Sequence, residues 1–258
     1  MFPLADSDDR PDVVLVHGVG VGPESFAATQ AALSAAGRRV HGVVRPGYGL
    51  GEHAMDLEVQ VDRIIDAVDL RPPSRPSSSR PEAAWVGVSG GATLGVIAAT
   101  RRPAAISVAV LHEPLIGSAA PELHAMIRHG ADRLGAGAHE RDDADRRRAR
   151  AVEYMSGLVG AEGWELLGPE GRAAVEARAA LIACEVPRFA RFEPSPVPPD
   201  DAVRVVITVG ERSPAVRHDA ARRAADLLHG SVHVVPAVGH LPQVEASTEF
   251  AELIEALT

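Results

Sequence analysis

The sequence predicts an α/β fold: a mostly parallel sheet of about six strands, helices on both faces, and a helical block inserted late in the chain. Three observations predict it. Apolar runs alternate with amphipathic stretches up to Leu111 and again from Val203. A Gly-rich corner, Gly87-Val88-Ser89-Gly90-Gly91, joins one such run directly to a helix pattern. From Leu115 to Pro199 the alternation stops, and Ala, Arg, Glu and Leu dominate without a strand pattern.

The first run, Val13-Val14-Leu15-Val16-His17, reads as a strand buried on both faces. Gly18-Val19-Gly20-Val21-Gly22 turns the chain into a helix from Pro23 to Ala36, stopped by Gly37. A second strand spans Arg39–Val44 and runs into the loop Arg45-Pro46-Gly47-Tyr48-Gly49-Leu50-Gly51. Leu57, Val59, Val61, Ile64, Ile65 and Val68 recur at helical spacing, so Leu57–Leu70 reads as a helix. The Pro/Ser/Arg stretch 71–81 is a loop. Ala83–Val88 is the strand feeding Ser89, Gly91–Thr100 the helix after it, and Ile106–Leu111 the next strand. In the inserted block the clearest helices are Pro121–Leu134, Glu140–Leu158 and Glu170–Cys184, and Pro194–Pro199 closes it. Strand Val203–Val209, helix Ala215–Leu228, strand Val232–Val235 and helix Val244–Leu257 complete the pattern. The expected organisation is a core of residues 1–115 and 200–258 interrupted by a helical cap of residues 116–199.

Composition narrows the chemistry. A chain of 258 residues, 46% hydrophobic and 24% charged, can bury one sizeable core. Aromatics are 3%, so that core must be mostly Val, Leu, Ile and Ala. A net charge of −9 argues against nucleic acid, whose phosphates need a basic face. No apolar run reaches the roughly 18 residues of a membrane span, so no membrane partner is expected. The N-terminus has neither the basic nor the apolar region of a signal peptide. The single cysteine, Cys184, has no disulfide partner and reads as a small core residue of a cytoplasmic protein. Lys is absent, which excludes Schiff-base chemistry, a pyridoxal phosphate linkage and a P-loop lysine. Asn is absent too, which removes N-glycosylation. Gly18-x-Gly20 resembles a dinucleotide fingerprint, but Pro23 holds its third glycine position and the second strand ends in Arg45 rather than an acid. The charged run Glu140–Arg148 reads as a solvated helix face. No His/Asp/Glu set has metal-ligand spacing. No metal and no cofactor are therefore expected, and oligomeric state is not legible.

Ser89 is the candidate nucleophile. A strand that turns at once into a helix forces its corner residue into strained geometry, and side chains on the neighbouring positions would collide. The strain lifts the hydroxyl clear of the sheet edge. The plainer alternative is a Gly-rich turn whose Ser caps the helix. A serine hydroxyl is a poor nucleophile at neutral pH and needs a base, a group to orient that base, and oxyanion donors. His240, in Pro236-Ala237-Val238-Gly239-His240-Leu241-Pro242, follows the last strand at the carboxyl edge of the sheet, where ligands bind in open α/β folds. His17, at the end of the first strand, shapes the loop instead. The oxyanion donors should be backbone N–H groups: Gly90, at the helix start, and Val19, in the loop after the first strand.

His17-Gly18 after an apolar strand, Gly87-Val88-Ser89-Gly90-Gly91, and Gly239-His240 near the C-terminus, in that order, resemble the α/β-hydrolase superfamily. The likeness covers nearly the whole chain. It implies an α/β-hydrolase fold with the helical cap inserted after the family's sixth strand. Only twelve residues precede the first strand, so the family's N-terminal hairpin is expected to be missing and the sheet shortened to about six strands. The resemblance implies an Asp in the segment Gly210-Glu211-Arg212-Ser213-Pro214, but Ser213 stands there. Glu113, in Leu111-His112-Glu113-Pro114, ends the strand next to that of Ser89 and is long enough to reach the distal nitrogen of His240. Some lipases and the zearalenone-type lactone hydrolases place their acid there. His112-Glu113-Pro114-Leu115 and Gly160-Ala161-Glu162-Gly163-Trp164 resemble that latter group. Glu113 is the expected acid, and Glu211 is the alternative. The plainer reading of Glu113 is that it accepts backbone hydrogen bonds and only shapes its loop.

Pocket walls should come from the cap: Trp164, Tyr154, Leu158 and Ile182 are the candidates, although packing between cap helices accounts equally for at least two of them. The segment Ala179-Ala180-Leu181-Ile182 is aliphatic where the lactone hydrolases carry an aromatic residue, which speaks against their large aromatic substrate. The expected function is a serine hydrolase cleaving a small-molecule carboxylic ester or lactone through an acyl-enzyme on Ser89. The alternatives are a non-hydrolytic enzyme on the same scaffold, a lyase or cofactor-free dioxygenase using His240 as a base on carbon, and a binding protein with a vestigial triad.

Overall fold

The computed structural model describes residues 10–49, 54–69, 83–117, 121–135, 144–194 and 203–258. Loop 71–81, most of the Pro194–Pro199 segment and the start of the expected helix at Glu140 lie outside the described residues. Six strands form one sheet in the order β2-β1-β3-β4-β5-β6, and every neighbouring pair is parallel. They are β1 (Val13–Val16), β2 (Val40–Val43), β3 (Ala83–Val88), β4 (Ile106–His112), β5 (Arg204–Gly210) and β6 (Ser231–Val235). Among the described residues no strand precedes β1.

The apolar runs of β1, β3, β4 and β5 are continuous because these strands are covered on both faces. On β1, Val14 and Val16 face one hydrophobic core, and Val13 and Leu15 face the other. The same division recurs on β4 with Ala109 and Leu111 against Val108 and Val110. Helices α1 (Ala27–Ala35) and α10 (Ser247–Leu257) close one face, supplying Leu33, Phe250 and Ile254. Helices α2 (Leu57–Asp69), α3 (Gly90–Arg101) and α8 (Ala215–Leu227) close the other. β6 forms as expected and is a sheet edge, exposed over four of its five residues, with Val232 39% and Val234 46% accessible.

The chain between β4 and β5 folds as α4 (Pro121–Gly135), α5 (Ala144–Leu166), α6 (Gly168–Ala177) and α7 (Ala179–Phe189). Three expected helices are divided differently here. The stretch read as Glu170–Cys184 is two helices, broken at Arg178 (φ −94°, ψ 12°). α5 runs on past Leu158 but is broken at Gly160, whose φ of 77° and ψ of 167° leave the helical region. The C-terminal helix starts earlier, as the short α9 (Pro242–Glu245), and restarts at Ser247 after a non-helical Ala246 (φ −151°, ψ 63°). The expected helix at Pro23 opens as a 3-10 turn, Pro23–Phe26, before α1. Cys184 is exposed on α7 rather than buried. No described helix is long and apolar enough to cross a membrane.

Candidate active site

Ser89 sits at the corner between β3 and α3 with φ 54° and ψ −117°, outside the regions open to an L-residue at no cost. Such geometry costs on the order of 1–3 kcal/mol and persists only where its surroundings over-determine it. The surroundings do so here. A Cβ on Gly87 would overlap the Gly91 carbonyl, and one on Gly91 would overlap the Val16 carbonyl. The turn thus closes only with glycine at both positions. Ser89 N–H donates to the His112 carbonyl at 2.8 Å, and Val88 pairs with His112 in the parallel register. The end of β4 is thereby brought alongside the corner, and Glu113 is the next residue.

Glu113 itself has a positive φ, 48°, and is 4% exposed. Its carboxylate is the hub of the site. Oε2 accepts from His240 Nδ1 at 2.6 Å and pairs with Arg217 Nη1 at 2.8 Å. Oε1 accepts from the Gly210 N–H at 3.2 Å and from the Ser213 hydroxyl. Ser213, standing where the family resemblance implies an Asp, therefore supplies a donor to the displaced carboxylate. Glu211, the alternative acid, is exposed and accepts from the Ala237 N–H at 2.9 Å. The loop of His240 is held from below by Glu245, whose carboxylate accepts from the Gly239 and Leu241 N–H groups at 2.6 and 2.9 Å.

With Nδ1 committed to Glu113, the second ring nitrogen of His240 is left over. His240 Nε2 and Ser89 Oγ are both buried, and neither has a hydrogen-bond partner in the protein. Such orphaned polar atoms are costly unless a ligand or water meets them. Burial and the Arg217 charge hold His240 below its ordinary value of 6.5, against the opposing pull of Glu113. The imidazole is thus neutral at pH 7. Glu113 is held far below the carboxylate range despite its burial, by Arg217 and by the hydrogen bond from His240. His112, packed under this pair, donates from Nε2 to the Gly239 carbonyl at 3.1 Å, and its Nδ1 lies 3.0 Å from Thr208 Oγ1. Burial pushes it down to about 4, so it stays neutral as well.

The loop after β1 closes on Ser89. A Cβ on Gly18 would lie 3.2 Å from Ser89 Cβ, and one on Gly90 would lie 3.0 Å from Val19 Cγ2. The two backbone segments expected to donate to an oxyanion are therefore adjacent. Residues of α5 and α7 pack on the same spot. Phe189 Cζ would be 3.0 Å from a Cβ on Gly90, and Ile182 Cδ1 and Met155 Cε would be 3.1 and 3.2 Å from one on Gly20. His17 shapes this loop as read: Nδ1–H donates to the Gly18 carbonyl at 2.9 Å and Nε2 accepts from Arg45 N–H at 3.3 Å.

Of the expected pocket residues, only Ile182 meets this region. Tyr154, Leu158 and Trp164 instead line a cavity of about 740 Å³ between α4 and α5, with Leu123, Ile127 and Leu134. None of Ser89, Glu113, His240, Val19 or Gly90 lines it. Sequence reading missed Met155, Phe189 and Arg217. The last carried a legible signal: the buried residues of α8 are Arg217, Ala220, Ala221, Ala224 and Ala225. A charge at the head of an apolar stripe calls for a buried partner. Among the described residues no group of three or more His, Cys, Asp or Glu is arranged to hold a metal ion.

The model of the alpha/beta hydrolase family matches residues 13–253, and the chain belongs to that family. Its fold is shared with solved structures of low identity. A hydrolase from Pseudomonas aeruginosa PA01 is 16% identical with a TM-score of 0.71, over 96% of this chain and 89% of that one. Est816, described as an N-acyl homoserine lactone degrading enzyme, is 16% identical with a TM-score of 0.67, over 96% and 93%. A thermophilic esterase from Thermogutta terrifontis is 17% identical with a TM-score of 0.66, over 95% and 88%. The narrower likeness to zearalenone-type lactone hydrolases gains no support from these three. No curated protein matches the sequence.

Proposed function

We propose that this chain is a serine hydrolase cleaving a carboxylic ester or lactone through an acyl-enzyme on Ser89. The observation that carries the reading is the 2.6 Å hydrogen bond from His240 Nδ1 to Glu113, which leaves a neutral Nε2 free to take a proton. Ser89 Oγ attacks the carbonyl carbon as its proton passes to His240 Nε2. The N–H groups of Val19 and Gly90 hold the oxyanion, and each such donor contributes about 3–4 kcal/mol in related chemistry. His240 then gives the proton to the leaving alcohol. Water then attacks the acyl carbon as it loses a proton to the same nitrogen, and that proton passes to Ser89 Oγ as the acyl bond breaks and the acid leaves. Similarity to an esterase and to a lactone-degrading enzyme supports the substrate class. We take the enzyme to act in the cytoplasm, consistent with a lone, exposed cysteine.

A fluorophosphonate probe should label Ser89, with peptide mapping to the residue, and p-nitrophenyl acetate should give an acyl-enzyme burst. Labelling that is absent in wild type, or that survives Ser89→Ala, overturns the reading and leaves His240 as a base on carbon. The pH dependence is a second test. Because His240 is held below 6.5, wild-type kcat/KM should keep more than half of its plateau value at pH 6.5. It should drop below half only at lower pH, where the imidazole gains a proton and loses its role as base. An acid limb centred at or above 6.5 would contradict that.

A further inference from the structure

Arg217 is a buried cation in an adverse place. It is the third residue of α8, where the helix dipole disfavours positive charge, and it is 4% exposed. Two contacts offset that cost. Nη1 lies 2.8 Å from Glu113 Oε2, the same oxygen that receives His240 Nδ1. Nη2 donates to the Leu158 carbonyl at 3.4 Å, two residues before α5 breaks at Gly160. The broken ladder of a helix leaves carbonyls that need donors from elsewhere.

We infer that Arg217 is a positioning residue that clamps the Glu113 carboxylate behind His240 and ties it to cap helix α5. The inference rests on the triad reading for its role in turnover, but not for its physical content. The imidazole and the guanidinium share one oxygen of the Glu113 carboxylate, so His240 faces an ion pair close to neutral rather than a bare anion. The other charged or titratable groups around His240 are His112 beside Glu113 at the end of β4 and Glu245 on α9. Glu245 in turn is paired with Arg212, which also holds Glu162 of α5. Of these, Arg217 is the only permanent cation in contact with the Glu113 carboxylate among the described residues. Its removal should strengthen the base: Glu113 would then act on His240 with its full charge, and the protonated imidazole would be favoured.

The test compares wild type with Arg217→Gln and Arg217→Lys. Glutamine removes the charge while keeping a donor for the cap carbonyl, and lysine keeps the charge. The readout is the His240 C2–H titration by NMR, assigned by its loss in His240→Gln, alongside the acid limb of ester kcat/KM. Arg217→Gln should raise both midpoints by about one pH unit, the scale set by a charge at this range. Arg217→Lys should hold them near wild type. Unchanged midpoints in a folded Arg217→Gln variant overturn the inference, as does a rise in Arg217→Lys equal to that in Arg217→Gln. The NMR titration needs no substrate. Failure of the hydrolase reading would therefore abolish the kinetic limb and leave the NMR result to decide.

Discussion

Glu113→Gln should lower ester kcat/KM by about 10²–10⁴ while the far-UV circular dichroism stays that of wild type. The reasoning follows the proton. In wild type the carboxylate accepts from His240 Nδ1–H, so the lone pair sits on Nε2, where the Ser89 proton must go. An amide placed there can present its NH2 to Nδ1. The imidazole then flips to the tautomer protonated on Nε2, which cannot act as base. The amide oxygen can still accept from the Ser213 hydroxyl and the Gly210 N–H, so that side of the hub survives, while the NH2 meets the Arg217 guanidinium. Glu211→Gln is the matched control. Glu211 is exposed and holds only the Ala237 N–H, and its replacement should leave turnover at the wild-type level. If the two variants exchange outcomes, the acid is Glu211 and the displaced-acid reading falls. Ser213 explains why displacement is possible: the segment that holds an acid in most of the family here lends its hydroxyl to a carboxylate from the neighbouring strand.

What the residues disclosed, and what they hid, divides along physical lines. Runs such as Val13–Val16 and 108–111 are apolar without interruption because both sheet faces are covered there. Ser89 was legible because Gly87 and Gly91 are sterically obligatory, so composition and geometry say the same thing. Glu113 was legible through topology: adjacent parallel strands end side by side. Breaks within the cap were not. Arg178 and Gly160 stop helices in segments rich in Ala, Glu and Leu, where local preference favours continuing and only tertiary packing decides. Two of the buried charges, Arg217 and Glu185, were passed over for a different reason. Each occupies one position of an otherwise apolar stripe, and a stripe is judged by its majority. Ala179, Ile182, Glu185, Val186 and Phe189 are the buried positions of α7, so the one carboxylate among them was visible as an exception.

That exception carries the largest stability effect expected in the chain. Glu185→Ala should destabilise the fold by about 3–5 kcal/mol, the cost of leaving a buried cation without its partner. Glu185 and Arg45 are both fully buried and ion-paired. Gln60 bridges them, accepting from Arg45 Nη2 at 2.9 Å and donating to Glu185 at 3.2 Å. Tyr48 donates to Glu185 Oε2 at 2.7 Å and accepts from the Gly20 N–H at 3.0 Å. Burial and the adjacent carboxylate push the Tyr48 hydroxyl far up, so it remains a donor at any accessible pH. The chain of contacts therefore runs from cap helix α7 to the backbone next to Val19, one of the two expected oxyanion donors. Thermal unfolding followed by circular dichroism should fall by about 10 °C, given the few degrees per kcal/mol of a domain this size. Ester kcat should fall as well, since the oxyanion loop loses its brace. Arg45→Met in the Glu185→Leu background should recover part of the lost stability, because removing both charges removes the desolvation cost together with the attraction. The same pair should recover little of the turnover, because Gly20 still lacks an oriented acceptor. A Glu185→Ala protein that melts with wild type would mean that the buried pair contributes nothing. Recovery of turnover by the double replacement would separate the oxyanion loop from the cap.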